Sequence, residues 1–190
     1  MRNLLTFTFI IFLLTSEAQD IPSAEWQITT AVQAAPESFR DEATVLGYDR
    51  EGKLTTLRQG TNSLICLADN PMQAGFSVSA YHRELEDFME RGRQLKAEGK
   101  GFKEIFDTRE AEVKAGRLKM PEKTTLFVLS GEPEMDTGII KNLYLRYVIY
   151  IPYATAETTG LPTEAPGPGG PWIMDPGTHR AHIMIVPPKN

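Results

Sequence analysis

The run Leu143–Tyr153 constrains the fold more than any other stretch of this chain. Leu145, Tyr147, Ile149 and Ile151 alternate with Arg146, Val148 and Tyr150. A two-residue period sustained this long specifies a β-strand, and Pro152 ends its regular pairing. Five shorter segments have matching β character. Ala43–Tyr48 and Lys53–Arg58 flank a polar, Gly-containing link and read as a hairpin. Ser63–Leu67, Thr124–Leu129 and Ala181–Val186 complete the set. Leu64, Cys66 and Ala68 share one face of the third strand, with Ile65 and Leu67 on the other, so that strand is expected to be covered on both sides.

Three segments change to a helical period. In Ala24–Ala35, Ile28, Ala31, Val32 and Ala35 form one stripe, with Ser23 as N-cap and Pro36 as the stop. From Ser79 the residues Tyr81, Leu85, Phe88, Gly92 and Leu95 form a second stripe that ends at Gly99. Phe102, Ile105, Phe106, Arg109 and Val113 form a third, ending at Gly116. The last two read as a helical hairpin whose apolar faces need the sheet. The expected class is α+β: an antiparallel sheet of five or six strands packed by an N-terminal helix and a helical hairpin.

Residues 1–18 read as a signal peptide. Arg2 precedes the apolar run Leu4–Leu14, and Ser16-Glu17-Ala18 places small residues before a cut after Ala18. The run is too short to cross a bilayer, which takes about 20 apolar residues. Residues 19–190 are then expected to be one secreted or periplasmic domain, not inserted in a membrane once the signal is cleaved. Within it, residues 160–177 are so rich in Gly and Pro that a loop or flap is expected.

The net charge of −5 and pI near 5.3 argue against a nucleic-acid partner. The one cysteine, Cys66, excludes an internal disulfide; in an oxidising compartment it is expected to be buried. No Walker loop, Gly-x-Ser-x-Gly elbow or dinucleotide fingerprint is present, and no cofactor is implied.

Chemistry concentrates in Pro171–His182. In one reading the Pro/Gly flap presents Asp175, His179 and His182 at a pocket mouth, where an imidazole oriented by a carboxylate serves as a general base. In the other, Asp175–Thr178 is a turn, Trp172 packs over the sheet, and His182 satisfies a backbone group. The His-x-x-His spacing carries no zinc motif, and no metal is assigned. Arg58-Gln59-Gly60-Thr61-Asn62 is either an anion-holding loop or a turn locked by its own Asn62. His82 is read in the first turn of the second helix, either reaching a cleft or capping.

The pattern Leu57-Arg58-x-Gly60-Thr61-Asn62, then Cys66-x-x-Asp69-x-Pro71, then the ending His182-Ile183-Met184-Ile185, resembles a group of uncharacterised exported bacterial proteins. The resemblance implies export and a shared fold, and brings no activity. Many members of that group carry a second Cys shortly after the Pro, where Met72-Gln73 stands here. The functional expectation is a domain that binds a small ligand or protein partner through Trp172, Arg180 and the flap, with Arg58 and Asn62 as further binding candidates. The alternative is a hydrolase or metal-dependent enzyme using Asp175, His179 and His182, with His82.

Overall fold

The computed structural model describes residues 21–188; the expected signal peptide lies outside the described residues. One open sheet of eight strands organises the chain: β1 (Thr44–Tyr48), β2 (Leu54–Arg58), β3 (Leu64–Leu67), β4 (Ser77–His82), β5 (Thr124–Pro133), β6 (Ile140–Tyr150), β7 (Trp172–Met174) and β8 (His182–Ile185). Their spatial order is β2-β1-β3-β4-β5-β6-β8-β7. Four α-helices accompany them among the described residues: α1 (Ala24–Ala31), α2 (Glu86–Ala97), α3 (Phe102–Lys114) and the single turn α4 (Ala156–Thr159).

The α+β class holds, but the sheet is larger than the five or six strands expected. Ser77–His82 forms β4, although the helical spacing predicts a helix from Ser79. In that segment Val78 and Ala80 point to one face and Tyr81 to the other, and β3 and β5 pair with it on either side. Tyr81 and Leu85 still reach the same core because a short 3₁₀ turn, Arg83–Leu85, joins β4 to α2. The second addition is β7, inside the Gly/Pro-rich stretch, where Trp172–Met174 pairs with Met184–His182 on β8. One pairing departs from the antiparallel rule, because β1 and β3 run parallel.

The sheet carries a core on each face. On one side Ala31, Ala34 and Ala35 meet Val45, Cys66, Val78, Ala80 and Leu129. On the other, Leu85 and Phe88 meet Tyr81, Leu126, Val148 and Tyr150. The alternation in β3 serves both cores, with Leu64 and Cys66 on the first face and Ile65 and Leu67 on the second. Cys66 is fully buried, and burial pushes its thiol up to about 12.

The ends of α1 follow from local chemistry. The Ser23 side chain accepts from the Trp26 N–H, and the helix tightens into a 3₁₀ turn over Val32–Ala34 before Ala35 turns extended ahead of Pro36. Gln27, buried on the underside of α1, acts as a strand substitute. Its amide donates to the Tyr48 carbonyl at 2.9 Å and accepts from the Tyr48 N–H at 2.8 Å. That pair of bonds holds the end of β1, and with it the Tyr48 ring.

Candidate functional site

Of the residues that drew attention in the sequence, His179 has the most unusual setting. It does not sit at a pocket mouth, because its side chain is fully buried. The ring lies edge-on to Phe106 at 4.9 Å and Phe88 at 5.5 Å, between α2 and α3. One carboxylate oxygen of Glu110 on α3 accepts both the His179 backbone N–H at 2.8 Å and the ring Nδ1–H at 2.5 Å. That fixes the proton on Nδ1 and leaves Nε2 buried without a partner. Burial drives the His179 pKa down, against the pull of Glu110. Burial opposes ionisation of Glu110, but hydrogen bonds from Lys114, the His179 N–H and the His179 ring together hold it below the usual carboxylate range.

His182 is buried too, and its Nδ1–H donates to the Arg180 carbonyl at 2.6 Å, with the Tyr150 ring 5.4 Å away. Burial lowers its pKa as well. Asp175 occupies a left-handed turn position (φ 50°) and faces Arg180, with 3.6 Å between Oδ2 and Nε. The Arg180 guanidinium lies over Phe102 and Phe106 at 5.3 and 5.8 Å. Arg109, 4.0 Å above Phe88, is desolvated and repelled by Arg180, which brings its pKa down to about 10. These groups clamp the β7–β8 edge to the helical hairpin. A general base must reach its proton within about 3 Å, and aromatic rings close around His179.

The remaining candidates are structural in their contacts. Arg58 donates from Nε and Nη2 to the Ala43 carbonyl, at 3.2 and 3.0 Å, and also bonds the Arg40 carbonyl. Asn62 donates to the Phe39 carbonyl and accepts from the Leu64 N–H, at 2.7 and 2.9 Å. This is the self-locked turn. Gly60 is required because a Cβ there would collide with the Glu42–Thr44 backbone. His82 ends β4 rather than lying in the first turn of a long helix, and it caps: its Nδ1 accepts from the Glu84 N–H at 3.3 Å as N-cap of the 3₁₀ turn Arg83–Leu85. Strands β5 and β6 separate β4 from β8, so His82 is not grouped with Asp175, His179 and His182. Trp172 is half-buried on the edge strand β7. Among the described residues no three His, Cys, Asp or Glu side chains converge as a metal site requires, and no helix is long and apolar enough to cross a membrane.

A concavity lies apart from these residues. A cleft of about 750 Å³ opens between the α2 side of the sheet, α2 itself and the loop that links β3 to β4. Leu67, Leu126, Val128 and Met89 form an apolar floor, and Tyr48, Asp69, Ser79, Arg93 and Lys96 bring polar groups to the walls. Arg93 is held by Glu86 at 2.6 Å and by the Tyr81 hydroxyl at 3.4 Å, and that hydroxyl in turn donates to Glu86 at 2.5 Å. Burial works against the Arg93 charge, but Tyr81 and Glu86 outweigh it and raise its pKa. Asp69 is half-buried, accepts from the Ser77 N–H at 2.8 Å and is shifted upward by burial. Lys96 makes no ion pair among the described residues.

The sequence reading missed Glu110 and the cleft. A signal for Glu110 existed, since it lies four residues after Phe106 on the third helical stripe. The cleft walls come from strands β1 to β5, the loops between them and α2, so no local motif announces them. No family model matches the chain, and comparisons with curated proteins and with solved structures return no match either.

Proposed function

We propose that this chain is an exported small-ligand-binding domain whose site is the cleft between the sheet and α2, rather than the 160–182 flap. The cleft volume carries the reading: about 750 Å³ falls inside the range of roughly 300–1,000 Å³ occupied by small-molecule sites. Its lining has the matching character, an apolar floor with a few convergent polar groups. The favoured ligand is amphipathic, with apolar surface over Leu67, Leu126 and Val128 and a polar end at the Arg93–Lys96 side. Export rests on the leader-like N-terminus and on the resemblance described above.

The alternative, a hydrolase or metal-dependent enzyme using Asp175, His179 and His182, has less behind it. Each of those side chains is already engaged by a protein group, and two are buried.

The test is a thermal-shift screen of small amphipathic compounds against the purified protein and against Ala97→Trp. Ala97 is an exposed residue of α2 on the cleft wall, so an indole there occupies the cleft with little cost to folding. Compounds that bind the native state raise its melting temperature by mass action. Stabilisation of the parent that disappears in Ala97→Trp supports the cleft. A screen without hits, or hits that persist in the variant, refutes it.

A further inference from the structure

A second, smaller hollow of about 220 Å³ lies on the α1 side of the sheet. Trp26 and Phe76 form two of its walls, with ring centroids 6.1 Å apart and planes at 77°, so the rings meet as a corner. The Trp26 ring is fixed by a hydrogen bond from its Nε1–H to the Glu134 carbonyl at 3.2 Å. Asp69, Gln27, Pro133 and Met135 contribute to the rest of the lining.

The polar content of this hollow is one-sided. Gln27 has its amide oxygen and nitrogen committed to Tyr48 and Pro22, so it offers little to a ligand. Asp69 brings a carboxylate bonded by the backbone N–H groups of Ser77 and Asn70. It has no Lys, Arg or His in ion-pair range among the described residues. The formal charge on the wall is therefore negative, and two aromatic residues, Trp26 and Phe76, stand on the same lining. An anion meets repulsion here. A strongly hydrated ammonium loses more water than one carboxylate replaces. An alkylated cation, whose charge is spread over methyl groups, loses little on leaving water and gains from aromatic faces.

We propose that the Trp26–Phe76–Asp69 hollow binds a compact organic cation of the quaternary or alkylated ammonium class. Burial raises the Asp69 pKa, and a cation seated beside the carboxylate offsets that desolvation. The site does not depend on the cleft reading. Asp69 lies on both walls, but Trp26 and Phe76 line the hollow alone.

The test compares choline with 3,3-dimethyl-1-butanol, its uncharged carbon isostere, by calorimetric titration of the purified protein at neutral pH. The Trp26 indole Nε1 resonance is followed in parallel. Choline is expected to bind saturably and shift that resonance, with the isostere at least about tenfold weaker. Phe76→Leu and Asp69→Asn are each expected to weaken choline by about tenfold, and Phe76→Tyr to retain it. Equal binding of the isostere, absence of saturable choline binding, or an unmoved Trp26 resonance overturns the proposal. Those three outcomes are read on the parent protein, so they hold even if a variant fails to fold.

Discussion

Replacing Glu110 with Ala removes the acceptor for two donors at once, the His179 backbone N–H at 2.8 Å and its ring Nδ1–H at 2.5 Å. Each buried donor left unpaired costs about 1–3 kcal/mol. The Glu110 side chain is 17% exposed, so water can enter behind the truncated residue and keep the total near the lower half of that sum, about 2–4 kcal/mol. Against a global stability of about 5–15 kcal/mol, this is a large loss. The informative measurement is a double-mutant cycle with His179→Phe, which keeps an aromatic ring between Phe88 and Phe106 but carries no ring N–H. Urea unfolding at neutral pH is analysed by linear extrapolation with the slopes compared. Glu110→Ala is expected to cost about 1–2 kcal/mol less in the His179→Phe background than in the parent. If the two substitutions add within about 0.5 kcal/mol, the Glu110–His179 bond does not hold the clamp and the reasoning fails.

Two further outcomes follow from the buried groups. His179 and His182 both have pKa values lowered by burial from the ordinary 6.5, so the unfolded chain binds more protons than the native one as pH falls below that value. Melting temperature is therefore expected to drop between about pH 7.5 and 5.5, and His179→Phe with His182→Phe to flatten that slope; an unchanged slope refutes the assignment. Asp69 works in the opposite sense, since a raised carboxylate pKa makes the native state the better proton binder at more acidic pH. Cys66, fully buried with its thiol pushed up to about 12, is expected to resist iodoacetamide at about pH 8 in the native protein and to react once in urea. Mass spectrometry reads both states, and rapid native labelling contradicts the packing described.

How legible the fold was depended on how local each cause is. The strand β6 carries its own period, and α1 carries its own cap and stop, so both were readable. The segment Ser77–His82 carries two periods at once. Val78 and Ala80 alternate with Ser79 and Tyr81, but Tyr81, Leu85 and Phe88 also fall at helical spacing, and all three reach the same core. Only the pairing of β4 with β3 and β5 decides between them, and that information lies in other segments. The parallel pairing of β1 with β3 and the short ladder of β7 on β8 are likewise tertiary outcomes. The turn at Arg58–Asn62 was legible because Gly60 and Asn62 signal it locally. The partner of His179 was not, since Glu110 stands 69 residues earlier in the chain.

The shape of β7 has a bearing on how copies of this protein coexist at high concentration. An open sheet ends in a row of unsatisfied amide groups that can template the addition of foreign strands. Here that last strand is only three residues long, with Pro171 directly before it and Pro176 two positions beyond its end. A polymerising neighbour thus finds too few free donors to register against, and the imino residues interrupt any longer zipper. The sequence that looked merely irregular serves as a terminator for this edge, where the Ile173 N–H is already bonded to the Pro162 carbonyl at 2.9 Å.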